Sequence, residues 1–145
     1  MGFLIRIDDV RVIAAHDNFV AINNALTIDL YSQMPAEMVQ CPTIRSVASR
    51  QTPFTMDALL SKGGHSIAML SSPAQDGKVS HIVPLLPKGT VVTATRNIAD
   101  YVVTENGVAA FRNKSVRQRA GALIVISHPD FRHEPERAAR KLFWP

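Results

Sequence analysis

Apolar and polar positions change with a short period through the first two-thirds of the chain and with a helical period near its end. Positions 19–22 form a continuous apolar run and predict a buried strand. Positions 25–30 alternate apolar and polar, as a half-buried strand does. Between 32 and 57 there is little periodicity, and Pro35, Pro42 and Pro53 interrupt it, so this stretch is expected to be mostly loop, long enough to be a functional one. Strands are predicted at 66–70, 81–86, 91–95 and 101–104, each short, rich in β-branched side chains and bounded by turn residues. Pro84 cannot donate to a ladder, which places its strand at an edge or pairs it on one side only. Pro87, Lys88 and Gly89 form a tight turn between two of these strands. Ser115 and Gln118 make a capping box that opens a helix over 115–127. Val116, Ala120, Leu123, Ile124 and Ser127 share one face of it, and Pro129 stops it. A last helix over 134–142 carries Arg137, Arg140 and Lys141 and leads into the aromatic tail Phe143, Trp144, Pro145.

The 145 residues, 46% hydrophobic and 19% charged, have the length of one domain, able to bury about 70% of the unfolded surface. A single domain over 1–145 is expected, too apolar to be disordered. No run approaches the roughly 20 apolar residues of a membrane span, and the N-terminal residues turn charged too early for a secretory signal. A cytoplasmic protein with no membrane partner is therefore expected. The single cysteine, Cys41, excludes an intramolecular disulfide and a cysteine-cluster zinc site. The five histidines show no metal-ligand spacing, so no metal is expected. The net charge of +4 is gathered at one end: residues 1–95 carry seven basic and seven acidic side chains, residues 96–145 nine against five. Aromatic residues are not interleaved with these charges as a single-strand binding surface requires, so no nucleic-acid partner is expected. A solvated helix face accounts for the basic excess.

Two places could carry chemistry. The loop Ser61-Lys62-Gly63-Gly64-His65-Ser66 precedes a strand, and glycine amides beside a lysine can hold a phosphate. It lacks the spacing of a P-loop or a dinucleotide fingerprint and opens no helix, so an ordinary turn is the competing account. Glu105 stands where an apolar strand opens into Asn106-Gly107, a position that either bears a site or satisfies nearby amides. His128, at a helix C-terminus, suits the helix dipole. No nucleophile-elbow sequence supports a catalytic triad. Composition and spacing alone thus support an α/β domain without a specific activity.

Several collinear segments go further. Val79-Ser80-His81-Ile82-Val83-Pro84, Val91-Val92-Thr93, Thr95-Arg96-Asn97 and Tyr101-Val102-Val103-Thr104-Glu105-Asn106-Gly107-Val108-Ala109 resemble, in order, the acetyl-CoA hydrolase/transferase family, which includes 4-hydroxybutyrate and succinate CoA-transferases. So do Lys114-Ser115 with Arg117 and Arg119-Ala120, and Ile126-Ser127-His128-Pro129-Asp130-Phe131-Arg132. Upstream, Val20-Ala21-Ile22-Asn23-Asn24-Ala25-Leu26 with Asp29-Leu30, and Leu60-Ser61-Lys62-Gly63-Gly64, match further family segments. The resemblance runs from about Asp9 to Arg132. It implies an α/β domain with a central, mainly parallel sheet flanked by helices, the C-terminal domain of a CoA-transferase shortened on its N-terminal side.

Family members move CoA between carboxylic acids, or hydrolyse acyl-CoA, through a glutamate that forms a glutamyl-CoA thioester. A carboxylate nucleophile attacks the thioester carbonyl while amide donors hold the oxyanion. The resemblance implies that this glutamate lies upstream of the segment matched here. The family's oxyanion asparagine falls at Asp8, where a carboxylate would repel a developing oxyanion. Its glycine-rich loop falls at 49–54, with Arg50 and Pro53 in place of glycine and aspartate and only Gln51 and Phe54 kept; Pro53 has no amide to donate. A CoA-facing lysine aligns with Gln75, an arginine with His81, and the histidine before Tyr101 with Asp100. No catalytic residue is therefore expected, Asp8 and Arg50 being degenerate family positions. The residues implied to face CoA are Gln51, Phe54, Gly63, Gly64, Gln75, Lys78, His81 and Glu105. No permanently bound cofactor is expected; coenzyme A or an acyl-CoA is the implied ligand. Missing strands should expose apolar surface and favour a homo-oligomer or a separate N-terminal CoA-transferase chain. The expected protein is a family domain inactive alone. Its competitors are a non-catalytic CoA-binding or assembly module and one half of a split CoA-transferase.

Overall fold

A computed structural model describes residues 9–35, 51–74 and 79–144. The described elements run α1 (Val10–Ala14), β1 (Val20–Asn24), β2 (Ile28–Asp29), α2 (Gln51–Leu60), β3 (His65–Met69), β4 (Pro73–Ala74), β5 (Val79–Ser80), β6 (Ile82–Val83), β7 (Tyr101–Thr104), β8 (Gly107–Ala110), α3 (Val116–Ile126), a 3-10 turn (Pro129–Phe131) and α4 (His133–Phe143). The main sheet has the order β1-β3-β7-β8; the first three strands are parallel and β8 closes a hairpin antiparallel to β7. This is the expected mainly parallel α/β architecture. Two small ladders accompany it, β2 with β6 and β4 with β5.

Strand register fixes which side chains share a face. Asn23, Ala68, Val102 and Ala109 stand side by side across the sheet. Both helices that follow strands pack on this side. From α2, the Thr55 hydroxyl accepts from Asn23 Nδ2 and meets the Ser66 hydroxyl at 3.3 Å. At the end of α3, the Ile126 carbonyl accepts from Thr104 Oγ1 at 2.7 Å. The core lies between this sheet face, α3, α4 and the β2–β6 ladder. It includes Ile28, Leu30, Ile82, Val102, Phe111, Leu123 and Ile126.

The helix expected at 115–127 forms with its cap intact. Ser115 accepts from the Gln118 amide, and Gln118 Oε1 accepts from the Ser115 amide. Its buried side includes Ala120 and Leu123 as expected, and also Ile126. Pro84 lies just past β6, which pairs only with β2 among the described residues, and its carbonyl accepts from Leu30 N.

Four expectations are corrected. The strand at 19–22 is not buried: β1 is an edge strand, and Val20 and Ile22 point away from the helices. Of 25–30 only Ile28 and Asp29 are strand, because Ala25 still donates to Met69 before the chain leaves the main sheet. Residues 91–95 form no strand beyond a bridge from Ala94 to Met34, since β-branched residues extend only where a partner edge exists. The stretch at 32–57, expected to be loop, contains the start of α2. Pro53 falls in the first helical turn, where no amide is needed, so it does not break the helix.

Candidate functional site

The carboxyl ends of parallel strands are where α/β sheets hold ligands. Here β3 runs out at Met69 and β7 at Thr104, and the chain segments that leave them meet. The Ser72 amide donates to Glu105 Oε2 at 2.9 Å, and the Ser72 hydroxyl donates to Glu105 Oε1 in a short hydrogen bond. Asn106 Nδ2 donates to Ser72 Oγ at 2.8 Å and to Glu105 Oε1 at 3.2 Å. The two-residue turn Glu105-Asn106 forms because Gly107 adopts φ +142° and Asn106 N donates to Thr104 Oγ1. Partial desolvation pushes the Glu105 carboxyl up, but the hydrogen bonds from Ser72, its backbone contacts and nearby His128 outweigh it, so its pKa is lowered. The result is an exposed, pre-positioned carboxylate.

His81 joins the same segment. Its amide donates to the Ser72 carbonyl at 2.9 Å, and Nδ1 lies 2.7 Å from the Ser71 carbonyl. A carbonyl only accepts, so Nδ1 carries the proton and Nε2 is left as an acceptor when the ring is neutral. His128 stands across the edge, its Nδ1 accepting from Asp130 N. The carboxyl edge therefore holds a carboxylate, two imidazoles and an amide side chain, able to bind and orient polar groups.

The expected site residues separate into two groups. His81 and Glu105 meet through Ser71 and Ser72 at the carboxyl edge. Phe54, Gly63 and Gly64 lie at the amino edge, where Phe54 stacks on Phe19 at 6.5 Å. Asp8, Arg50, Gln75 and Lys78, and the side chain of Gln51, lie outside the described residues. The glycine loop at the amino edge is tightly built. Gly63 has φ +73°, and a Cβ on it would lie 2.5 Å from Asn18 Oδ1; a Cβ on Gly64 would lie 2.2 Å from the Ala58 carbonyl. The Gly64 amide donates to the Ser61 carbonyl, while Ser61 Oγ donates to His16 O and accepts from Phe19 N.

Sequence spacing missed a second cluster beside that loop. The buried Asp100 carboxylate lies 3.0 Å from His65 Nδ1, 3.2 Å from the Ser66 amide and 2.9 Å from Arg112 Nε. Arg112 Nη2 also donates to the Gly64 carbonyl. These groups tie the starts of β3 and β7 to the end of β8. Much of the basic excess is likewise spent on carbonyls: Arg132 donates to Ser127 and Val125 at the end of α3, and Arg119 to Lys114 and Arg96. Among the described residues no three metal-ligating side chains converge, and no helix is long and apolar enough to cross a membrane.

Residues 5–139 match the acetyl-CoA hydrolase/transferase C-terminal domain, and the chain belongs to that family. It is 44% identical over 137 residues to the 4-hydroxybutyrate coenzyme A transferase of Clostridium kluyveri, covering 94% of this chain and 32% of that protein. It is 45% identical over 137 residues to the butyryl-CoA:acetate CoA-transferase of Anaerostipes caccae, covering 92% and 30%. The solved 4-hydroxybutyrate CoA-transferase of Porphyromonas gingivalis superposes with a TM-score of 0.78 at 40% identity, over 95% of this chain and 30% of that one. RipA of Yersinia pestis gives 0.81 at 35% identity, over 97% and 30%. The chain thus spans about a third of the length of these relatives.

Proposed function

We propose that this chain is a CoA-binding domain of the CoA-transferase type that contacts a CoA thioester along its carboxyl edge and does not turn it over alone. The observation that carries the proposal is the junction of Glu105 and His81 on Ser71 and Ser72, at the strand ends where α/β sheets receive ligands. His81 Nε2, left free to accept by the Nδ1 bond to Ser71, and the exposed Glu105 carboxylate are the acceptors offered to the amide and hydroxyl groups that a CoA arm presents. Glu105 is a poor candidate for the nucleophile. Its oxygens already accept from Ser72 and Asn106, and hydrogen bonds that stabilise a carboxylate lower its nucleophilicity. Gln75 and Lys78 precede β5 and His81 in sequence, and the proposal includes them in the same contact. The resemblance puts Asp8 where the family has its oxyanion asparagine, and a carboxylate has no side-chain N–H to donate to an oxyanion.

Calorimetric titration with CoA and with acetyl-CoA tests this reading. Saturable heat is expected with both ligands, with affinity weakened about tenfold in His81→Ala, the loss of one well-placed hydrogen bond to a polar ligand. Absence of heat with either ligand would overturn it.

A further inference from the structure

Two chain segments meet beside the β2–β6 ladder and form a polar cleft. Met34 and Ala94 bridge them, each amide donating to the other's carbonyl at 2.9 Å. Tyr31 and Gln33 come from one segment and Thr95, Arg96 and Asn97 from the other, and together they line a cavity of about 440 Å³. Ligand cavities have this size and a few convergent polar groups. None of these lining residues is acidic, and none belongs to the carboxyl edge or to the Asp100 cluster.

The lining is held from behind. Asp29, 1% exposed, accepts from the amides of Tyr31 at 3.0 Å and Gln33 at 2.9 Å, and from Gln33 Nε2 at 2.8 Å. Its carboxylate is thereby spent on three N–H groups, and Gln33 keeps Oε1 as an acceptor. The Tyr31 ring packs edge-on against Phe143 at 5.1 Å. The Arg96 carbonyl accepts from Arg119 Nη1 at 2.6 Å, and Ile98 N closes the turn on the Thr95 carbonyl. Among the described residues, the Arg96 guanidinium, the Asn97 amide and the Tyr31 and Thr95 hydroxyls make no hydrogen bond or ion pair. Backbone and ring are thus fixed while the polar ends stay open, as in a prepared binding site. A guanidinium beside amide and hydroxyl donors suits a phosphate, which arginine takes as a bidentate pair. Gln33 Oε1 is an acceptor that a bare anion leaves unused and a ligand hydroxyl fills. Apart from the Tyr31 ring the lining is polar, so an acyl chain has little to pack on. We infer that the cleft of Tyr31, Gln33, Thr95, Arg96 and Asn97 binds a small hydroxylated phosphomonoester, with Arg96 on the phosphate and Gln33 on a hydroxyl. The site is separate from the CoA contact proposed above and does not depend on it.

NMR titration of the full, nitrogen-labelled chain with glycerol 3-phosphate tests this. Saturable shifts are expected at the amides of Gln33, Arg96 and Asn97. Glycerol, which lacks the charge, and inorganic phosphate, which lacks the carbon-borne hydroxyls, should each bind about tenfold or more weakly. Arg96→Ala should weaken glycerol 3-phosphate about tenfold or more. Its unfolding temperature should stay at the wild-type value, since the guanidinium holds no other described part of the chain. Arg96→Lys keeps the charge without the fork and should fall between the two. Saturating CoA should leave the glycerol 3-phosphate affinity unchanged. Absence of saturable shifts at these amides overturns the proposal, as does binding undiminished in Arg96→Ala. Inorganic phosphate binding as tightly as glycerol 3-phosphate would overturn the hydroxyl contact. Displacement by CoA would overturn the separate site, by assigning the cleft to the phosphates of CoA. The glycerol 3-phosphate titration needs no CoA, so it and the calorimetric test can fail independently.

Discussion

Ser32 has left-handed backbone at φ +65°, and its fully buried hydroxyl has no hydrogen-bond partner among the described residues. Both features cost free energy, the first through Cβ crowding and the second through uncompensated desolvation. Ser32→Gly should therefore raise stability by about 1 kcal/mol or more in urea unfolding; a loss of stability would show that the hydroxyl has a role there. Glu105 gives a pH-dependent prediction. Its folded pKa is lowered, so its contribution is present above the unfolded value and is lost as pH falls through the folded one. The unfolding midpoint of Glu105→Gln should lie below that of the wild type at neutral pH and converge with it in acid, below the ordinary glutamate range. A constant gap across that range would contradict the hydrogen-bonded carboxylate. Asp29 has the opposite sign, because burial raises its pKa despite the bonds from Tyr31 and Gln33; its ionisation opposes folding as pH rises. Glu105 was legible in the sequence, since a lone carboxylate between a strand and Asn-Gly marks a turn at a sheet edge. The Asp100 cluster was not: His65 lies 35 residues away, and no local pattern records such a pairing.

At the level of elements, two glycines with different surroundings make a paired test. Gly64 lets α2, β1 and β3 approach, and a Cβ there meets backbone. Gly121 lies inside α3 facing the open groove toward α4, where a Cβ meets nothing within 4 Å. Gly64→Ala should cost about 3 kcal/mol through overpacking, whereas Gly121→Ala should gain about 1 kcal/mol in helix propensity; equal effects in thermal unfolding would refute this contrast. Elements defined by local chemistry were readable in advance. The capping box at Ser115 and Gln118 and the strand at 101–104 with its Asn106-Gly107 turn depend on residues a few positions apart, whereas the return strand Gly107–Ala110 is a finding of the structure. The region 91–95 has strand-like residues but no partner edge, and Pro53 reads as a breaker until its place in the first turn of α2 is known. Register and partner choice come from distant chain segments, and a period of two cannot specify them.

At the level of the whole molecule, the described residues form a sheet with α2 and α3 packed on one face and two different ends. The amino edge is held by Gly63, Gly64, Ser61 and the Asp100 cluster, while at the carboxyl edge Glu105 is bonded to Ser72 and His81 to Ser71. Of the basic side chains in the last third, Arg119 and Arg132 donate to carbonyls at helix and turn ends and Arg117 stacks on Trp144 at 4.3 Å, so these three serve the architecture. The central claim is that this domain can hold a CoA thioester without the groups that transform it. The most direct measurement follows acetyl-CoA consumption, by loss of thioester absorbance and by exchange with labelled acetate, on the purified chain. No turnover above the uncatalysed rate is predicted in either assay. Thioester cleavage or exchange by the chain alone, abolished in Arg50→Ala, would contradict the account.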